Sequence, residues 1–426
     1  MMGRIKPPSS LLIFHSRLMA VLVLTVLLMP VLGAAQGSPS GTYRVIHDFT
    51  GGRDGGLPYA GLISDQRGNL YGTAFLGGRG ACPPQNIGCG TVYRLKRSAS
   101  GWNFQTLYAF QGGNDGAGPY APVTIGPNGS LYGTTNQGGD PACPSGCGVV
   151  FEVKPAACAT HLCPSTEAVL YRFQGNNDGF YPFSNVIFDK AGNLYGTTEQ
   201  GGSQGPGTVF ELTLSKQGWK EHILYNFPSQ GPGNPYSGVI FGRTGDLYGT
   251  VSSGGCCGAI YQLSRSDNGW TENTIHKFQG KTDGGIPTAA LTLSKSGDLI
   301  GATGSGGANG EGTVYSLRRS KNGWAFTTLY TFPNEGTGPW AQLTMDASGN
   351  LYGTTQGDAV FGTWGTVFKL THTSRGWKET VLHRFTGGND GGIPLSNIVI
   401  DAYGNLYGTA SVGGTSNVGV VFEIKP

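Results

Sequence analysis

One short motif recurs seven times along the chain and constrains its fold more than any other feature. The first copy reads Gly68-Asn69-Leu70-Tyr71-Gly72-Thr73 and the last reads Gly404-Asn405-Leu406-Tyr407-Gly408-Thr409. The intervening copies centre on Tyr132, Tyr195, Tyr248, Ile300 and Tyr352, at successive spacings of 61, 63, 53, 52, 52 and 55 residues. A period of this length indicates similar supersecondary units that stack into a solenoid, a propeller or an array.

Each unit contains four short β-rich runs separated by turn residues. In the sixth unit the predicted strands are residues 341–345, 351–355, 366–370 and 379–385, with Gly349 closing a tight turn between the first two. Gly353 falls inside the second strand, where glycine indicates a bulge, the close approach of a neighbouring backbone or close packing. Seven such units predict an all-β fold.

The two ends of the chain predict how the units close. Residues 43–49 read as a fourth strand, whereas the last unit stops after a third strand at residues 420–424. The N-terminal strand would therefore complete the last sheet, giving a closed seven-bladed β-propeller of four-stranded antiparallel blades. The alternative is an open solenoid, which would need polar caps that the terminal units lack.

The beginning of the sequence predicts export. Arg4, Lys6 and Arg17 precede an apolar run over residues 18–32 and the small residues that follow it, a pattern typical of a signal peptide. We expect a signal peptide over residues 1–35, a linker over 36–42 and one propeller domain over 43–426. An uncleaved membrane anchor is the alternative, although the run is shorter than the roughly 20 residues that a spanning helix needs.

Charge and cysteine content fit a secreted or periplasmic protein. Without residues 1–35, 25 Lys+Arg face 25 Asp+Glu, so no nucleic-acid partner is expected. No second long apolar stretch follows, so we expect no membrane span in the mature chain, which we also expect to be a monomer. Disulfide bonds are the default state of cysteines after export. The expected pairs are Cys82 with Cys89, Cys143 with Cys147, and Cys158 with Cys163. A zinc site is the alternative, and Cys256 and Cys257 form either a vicinal bridge or two thiols.

The GNLYGT and Gly-Thr-Val-Phe/Tyr segments, such as Gly207-Thr208-Val209-Phe210, resemble those of the GloVer (Gloeo_Verruco) tandem-repeat family. The resemblance covers nearly all of residues 43–426. It implies an exported bacterial repeat protein, and it brings no ligand or catalytic residues to this sequence. Members often carry a C-terminal sorting anchor, and none follows the last predicted strand here.

Two sets of residues are candidates for ligand binding. If the first strand of each unit is innermost, the loops before it share one face with the loops between the second and third strands. Five of these loops carry Asp-Gly turns, whose structural alternative is turn formation alone, and aromatic residues beside proline follow them, with inter-blade packing as their alternative. The candidates are Asp54, Asp115, Asp178, Asp283, Asp390, Tyr59, Tyr120, Tyr181, Tyr236 and Trp340.

The sequence predicts binding more readily than catalysis. Aromatic faces beside a few polar groups suit sugar rings, so the first hypothesis is a non-enzymatic propeller that recognises carbohydrate or a surface polymer. No cofactor is expected, and calcium is conceivable only if several Asp-Gly loops converge. No G-x-S-x-G, H-E-x-x-H or P-loop motif occurs. The alternatives are a polysaccharide lyase or hydrolase on the same scaffold, and a structural or adhesive surface protein.

Overall fold

The computed structural model describes residues 41–82, 87–156, 165–254, 256–267, 269–333 and 338–425. The predicted signal peptide and the Cys158–Cys163 pair lie outside these residues. Two single-turn 3-10 helices, Gly113–Asp115 and Ala359–Phe361, accompany the strands. In the described part of the chain, no helix has both the length and the apolar character needed to cross a membrane.

Twenty-eight strands form seven four-stranded antiparallel sheets, which we number as blades 1 to 7. The strands are, in blade 1, β2 (Ile63–Ser64), β3 (Leu70–Ala74), β4 (Thr91–Ser98) and β5 (Gly101–Ala109); in blade 2, β6 (Thr124–Ile125), β7 (Leu131–Thr135), β8 (Val149–Lys154) and β9 (Thr166–Arg172); in blade 3, β10 (Ile187–Phe188), β11 (Leu194–Thr198), β12 (Thr208–Ser215) and β13 (Gly218–Asn226); in blade 4, β14 (Ile240–Phe241), β15 (Leu247–Val251), β16 (Ala259–Ser266) and β17 (Gly269–Lys277); in blade 5, β18 (Thr292–Leu293), β19 (Leu299–Thr303), β20 (Thr313–Ser320) and β21 (Gly323–Thr331); in blade 6, β22 (Thr344–Met345), β23 (Leu351–Thr355), β24 (Thr366–Thr373) and β25 (Gly376–Arg384); and in blade 7, β26 (Val399–Ile400), β27 (Leu406–Ala410), β28 (Val420–Lys425) and β1 (Thr42–Asp48).

The N-terminal strand closes the ring, as the sequence predicts. Strand β1 pairs antiparallel with β28, from Thr42 opposite Lys425 to Asp48 opposite Val420. The side chains of Arg44 and Glu423 form an ion pair across this pairing. Blade 7 is therefore completed by residues from the opposite end of the chain, and the fold is a closed seven-bladed β-propeller.

Threonine hydroxyls join six of the seven blades to the next blade. The Thr of the Leu-Tyr-Gly-Thr segment is buried and donates a hydrogen bond to the carbonyl oxygen of a small residue that precedes the first strand of the next blade. The six bonds are Thr73 to Ala121 at 3.0 Å, Thr134 to Ser184 at 2.7 Å, Thr197 to Ser237 at 3.0 Å, Thr250 to Ala289 at 3.2 Å, Thr354 to Ser396 at 3.0 Å and Thr409 to Ala60 at 2.8 Å. Blade 5 carries Ala302 at this position and has no hydroxyl to donate.

The glycine inside each second strand makes room for an aromatic ring. Gly353 lies directly opposite Phe368 of the third strand. A Cβ atom on Gly353 would stand 2.7 Å from the ring of Phe368, a distance at which atoms overlap. The same arrangement recurs in every blade, as at Gly72 beneath Tyr93, so the repeated glycine is explained by ring packing within the sheet.

In blade 6 the first strand, Thr344–Met345, is shorter than the predicted 341–345, and the third and fourth strands are longer than predicted. The carbonyl of Leu343, just before the first strand, accepts a hydrogen bond from the Thr292 hydroxyl of blade 5. The fourth strand begins at Gly376, where it pairs with Thr373 of an extended third strand. The second strand, Leu351–Thr355, agrees with the prediction, and Gly349 has φ +84° at the predicted turn.

Three disulfide bonds pack on the turns of neighbouring blades. Cys82 is bonded to Cys89 and Cys143 to Cys147, as predicted, and Cys256 forms a vicinal bridge with Cys257. Their sulfur atoms cover Gly112, Gly175 and Gly280, each in the turn that follows the fourth strand. In blade 6 the ring of Trp364 covers the equivalent Gly387. The disulfides therefore pack as apolar groups on these turns as well as forming covalent links.

Candidate functional site

Two classes of loop are hydrogen-bonded together on one face of the propeller, which we call the upper face. One loop precedes the first strand and contains a proline, and the other follows the second strand. In all seven blades, the backbone N–H of the residue after the second strand donates a hydrogen bond to the carbonyl of the residue before that proline. Examples are Phe75 to Leu57 at 3.2 Å and Glu199 to Tyr181 at 3.1 Å. Leu57 and Tyr181 have positive φ angles of 51° and 56°. This left-handed geometry turns the chain sharply into the proline and fixes the residue after it.

We use the word mouth for the upper-face end of the propeller's central axis. Two positions per blade define it. The residues after the loop prolines are Tyr59, Tyr120, Phe183, Tyr236, Thr288, Trp340 and Leu395. The residues after the second strands are Phe75, Asn136, Glu199, Ser252, Gly304, Gln356 and Ser411. Only one of these fourteen side chains, that of Glu199, is acidic, and none is Lys, Arg or His.

Four aromatic rings from four blades meet in one group, the mouth cluster of Tyr59, Tyr120, Phe183 and Tyr236. Tyr120 stacks on Tyr59 with centroids 5.0 Å apart, and Phe183 stacks on Tyr236 at 5.1 Å. The edge of Tyr120 meets Phe183 at 5.1 Å and Tyr236 at 5.9 Å. Tyr120 belongs to blade 2 and Tyr236 to blade 4, and rings of non-adjacent blades can touch only near the axis. Each ring keeps part of its surface exposed.

The other two aromatic candidates lie beside this cluster. Tyr181 precedes its proline and packs on Phe180 at 4.8 Å, with Phe183 at 6.5 Å. Phe183, the residue after this proline, belongs to the mouth cluster in place of the candidate Tyr181. Trp340 lies over Gly304 of blade 5, and among the described residues no ring contact joins it to the cluster. Its indole N–H is buried without a hydrogen-bond partner.

Two buried polar side chains accompany the rings. Glu199 is 5% exposed, and burial raises the pKa of its carboxyl group to about 7. The Glu199 carboxylate contributes to the raised pKa values of Tyr120, Tyr181 and Tyr236, after burial as the main cause, so it lies within electrostatic reach of all three. Asn136 is also 5% exposed, and its Oδ1 atom has no hydrogen-bond partner.

The five Asp-Gly aspartates do not converge at the mouth. Each accepts a hydrogen bond from the backbone N–H four residues before it and contacts a Tyr or His seven residues before it on the fourth strand. The pairs are Asp54 with His47 at 3.2 Å, Asp115 with Tyr108 at 2.8 Å, Asp178 with Tyr171 at 2.9 Å, Asp283 with His276 at 3.2 Å, and Asp390 with His383 at 3.1 Å. Within the described residues, no three His, Cys, Asp or Glu side chains form a group able to hold a metal ion.

The Tyr or His that contacts each aspartate also contacts the next blade, and its residue type determines the kind of partner found there. A Tyr meets Glu, whereas a His stacks on an aromatic ring, as His276 does on Phe326 at 4.0 Å. The Tyr–Glu pairs are Tyr108–Glu167, Tyr171–Glu221, Tyr225–Glu272 and Tyr330–Glu379. The other two His pairs are His47–Phe104 and His383–Tyr43, both with centroids 3.7 Å apart. All seven interfaces follow this rule, which the sequence analysis did not detect.

Glu199, Asn136 and Phe75 are mouth residues that sequence reasoning missed. The sequence feature that could have revealed them is variation among the units. The residue after the Leu-Tyr-Gly-Thr strand differs in nearly every unit, although the strand before it hardly changes. In a repeat, such a variable position next to a constant strand indicates that the units differ there in what they contact.

The fold and this site define the protein as a seven-bladed β-propeller that gathers aromatic and polar side chains at one mouth of its axis. Its sequence matches the model of the Gloeobacter/Verrucomicrobia repeat over residues 36–258 and 256–426. The chain therefore belongs to the Gloeobacter/Verrucomicrobia repeat family, as the resemblance indicated.

Solved structures are similar to the chain at low sequence identity. A candidate 6-phosphogluconolactonase of Bacteroides uniformis is 13% identical, with 76% of this chain and 84% of that chain covered and a TM-score of 0.49. The extracellular domain of a candidate one-component system of B. thetaiotaomicron is 11% identical, with 90% and 38% covered and a TM-score of 0.48. No curated protein matches the chain.

Proposed function

We propose that this protein is a secreted, non-enzymatic binding protein that holds a carbohydrate at the mouth of the axis on its upper face. The observation that carries the proposal is the mouth cluster, in which Tyr120 of blade 2 touches Tyr236 of blade 4. Rings that served only to pack adjacent blades would not need to meet across a third blade. Partly exposed aromatic faces beside a few polar groups are typical of a ligand site.

The disulfide bonds support the location. Three bridges occur among the described residues, and disulfides persist in oxidising compartments outside the cytosol. Secretion, after removal of residues 1–35, is part of the same proposal.

The lyase or hydrolase alternative has one observation in its favour. Glu199 is a buried carboxyl group whose pKa is raised to about 7, as suits a general acid. A glycoside hydrolase uses a pair of carboxyl groups, and Glu199 is the one acid among the fourteen mouth positions. This contrast favours binding without turnover.

A glycan array probed with the purified protein, with and without calcium, tests the proposal. We expect sugar binding that Tyr120→Ala weakens at least tenfold, because Tyr120 touches all three other rings of the cluster. Tyr403→Ala is the control, since Tyr403 is 84% exposed and lies in a turn between first and second strands, away from the mouth. Release of cleaved sugar would favour the enzyme alternative. An absence of binding to every glycan would favour the structural or adhesive role.

A further inference from the structure

The charge at the mouth is unbalanced. Glu199 is acidic, and none of the other thirteen mouth positions carries a basic side chain. Among the described residues, no Lys, Arg or His forms an ion pair with Glu199. The mouth therefore presents a carboxylate and aromatic faces, with nothing at these positions to neutralise the negative charge.

The Glu199 carboxyl group has a hydrogen bond with Gln200, which favours its ionised form, but among the described residues it has no basic partner to balance the charge. Removing an ionised carboxylate from water costs several kcal/mol in real proteins. The position itself does not require an acid, because blades 2, 4 and 6 fill it with Asn136, Ser252 and Gln356. Packing alone would be served by such a neutral side chain, so the acid at this position suits a cationic ligand, which would favour its ionised form.

The groups around Glu199 suit a cation with N–H donors. The rings of Tyr120 and Tyr236, within electrostatic reach of the carboxylate, offer π faces that attract cations. In blade 2, the buried Oδ1 of Asn136 is an acceptor that lacks a donor. The ionisable groups facing Glu199 are the hydroxyls of Tyr120, Tyr181 and Tyr236. These tyrosines stay neutral at physiological pH, because burial raises their pKa values further above the ordinary 10.

We infer that the ligand at the mouth is an amino sugar with a free, protonated amine, which pairs with Glu199 while the sugar ring lies against the mouth cluster. This inference rests on the proposed carbohydrate-binding function and narrows it to one class of sugar. An N-acetylated sugar lacks the charge, and a plain hexose lacks both the charge and the amine donors.

Calorimetric titration with three oligosaccharides of equal length tests the inference. The probes are glucosamine oligomers, N-acetylglucosamine oligomers and cello-oligosaccharides, each titrated at pH 7.5 into the wild-type protein, Glu199→Gln and Glu311→Gln. We expect the wild type to bind the glucosamine oligomer at least tenfold more tightly than the other two. Glu199→Gln should remove this preference and leave a weaker affinity common to all three. Glu311→Gln is the matched control, because Glu311 lies in an upper-face loop beside Asp358 and outside the mouth positions.

The outcomes separate the inference from the proposed function. Equal affinity of the wild type for all three probes, or a preference that survives Glu199→Gln, overturns the inference and leaves carbohydrate binding standing. No binding of any probe overturns both. Circular dichroism of each variant establishes that it is folded before its affinities are compared.

A second measurement needs no variant. Tetramethylammonium has a charge that does not titrate, so its affinity for the wild type reports the ionisation of Glu199. With a pKa of about 7 in the free protein, the affinity should fall roughly tenfold from pH 8 to pH 6. An affinity that is unchanged over this range contradicts the inference.

Discussion

Phe49 at the junction between the two ends of the chain gives a direct measure of ring closure. It follows β1, is fully buried, and its backbone N–H donates to Gly419 of blade 7 at 3.1 Å. Its ring lies 4.7 Å from His47, 5.3 Å from Tyr93 and 5.8 Å from Phe104, measured between centroids. Phe49→Ala would leave a cavity between blades 7 and 1.

The structure contains a nearly identical site away from the junction. Phe278, between blades 4 and 5, has centroid distances of 4.8 Å to His276, 5.2 Å to Tyr315 and 5.9 Å to Phe326. Phe278→Ala is therefore a matched control. Truncation of a buried Phe costs about 3–5 kcal/mol, and a closed ring predicts this cost for both variants. With an unfolding entropy of about 2.1 cal/mol/K per residue over roughly 385 residues, 4 kcal/mol lowers Tm by about 5 °C.

Urea and thermal unfolding, followed by circular dichroism and tryptophan fluorescence, measure both costs. If the ring is closed, the two variants lose equal stability in a single transition. If Phe49→Ala costs less than about 1 kcal/mol while Phe278→Ala costs about 4, or if the first variant shows a separate early transition, β1 peels away independently and the closure argument fails.

Three further predictions concern the contacts between blades. Thr409→Val should lower the free energy of unfolding by about 1 kcal/mol, because it leaves the Ala60 carbonyl without its donor. Thr134→Val should lower it by the same amount in urea unfolding. An unchanged stability of Thr409→Val would contradict a shared ring of hydrogen bonds. Burial and Asp178 raise the pKa of Glu221 to about 8, so its contribution to stability is complete below pH 4.5 and is lost as pH rises through 8. The free energy of unfolding of Glu221→Gln, relative to that of the wild type, should therefore rise by about 2 kcal/mol between pH 5 and pH 8, after discounting for solvent screening. Parallel curves of stability against pH for the two proteins would refute this. Burial lowers the pKa of His276 below 6.5, so the folded state loses stability as pH falls below 6.5; Phe326→Ala should move this pKa upward in an NMR titration while His47, still covered by its own ring, stays unchanged.

The ring could be predicted from the sequence because its evidence is periodic. Seven copies of one motif give the number of blades, and an unpaired strand at each end gives the closure through β1 and β28. The lengths of the strands were less accessible. In blade 6 the first strand is only Thr344–Met345, and the carbonyl of Leu343 just before it accepts a hydrogen bond from Thr292 of the neighbouring blade, a contact that depends on how two units face each other.

The site was predictable only in part for the same reason. Tyr59, Tyr120 and Tyr236 stand out because proline precedes each of them. Glu199 differs from the equivalent residues of the other units, but nothing near it in the sequence predicts its burial or its place near Tyr120 of blade 2 and Tyr236 of blade 4. The candidate aspartates carry a strong local signal, Asp-Gly, whose observed contacts are within their own turn and fourth strand.

The pairing of Tyr with Glu and of His with an aromatic ring has a consequence for how such a chain can gain or lose a repeat. Blades 2 and 3 each receive a Tyr from the preceding blade and offer a Tyr to the following one. A recombination event that removes blade 2 would place Tyr108 against Glu221, and the new neighbours would still match. Loss of blade 4 would instead set Tyr225 against Phe326, leaving the hydroxyl without a carboxylate. At this contact, therefore, the loss of blade 2 preserves the match between neighbouring blades, and the loss of blade 4 does not.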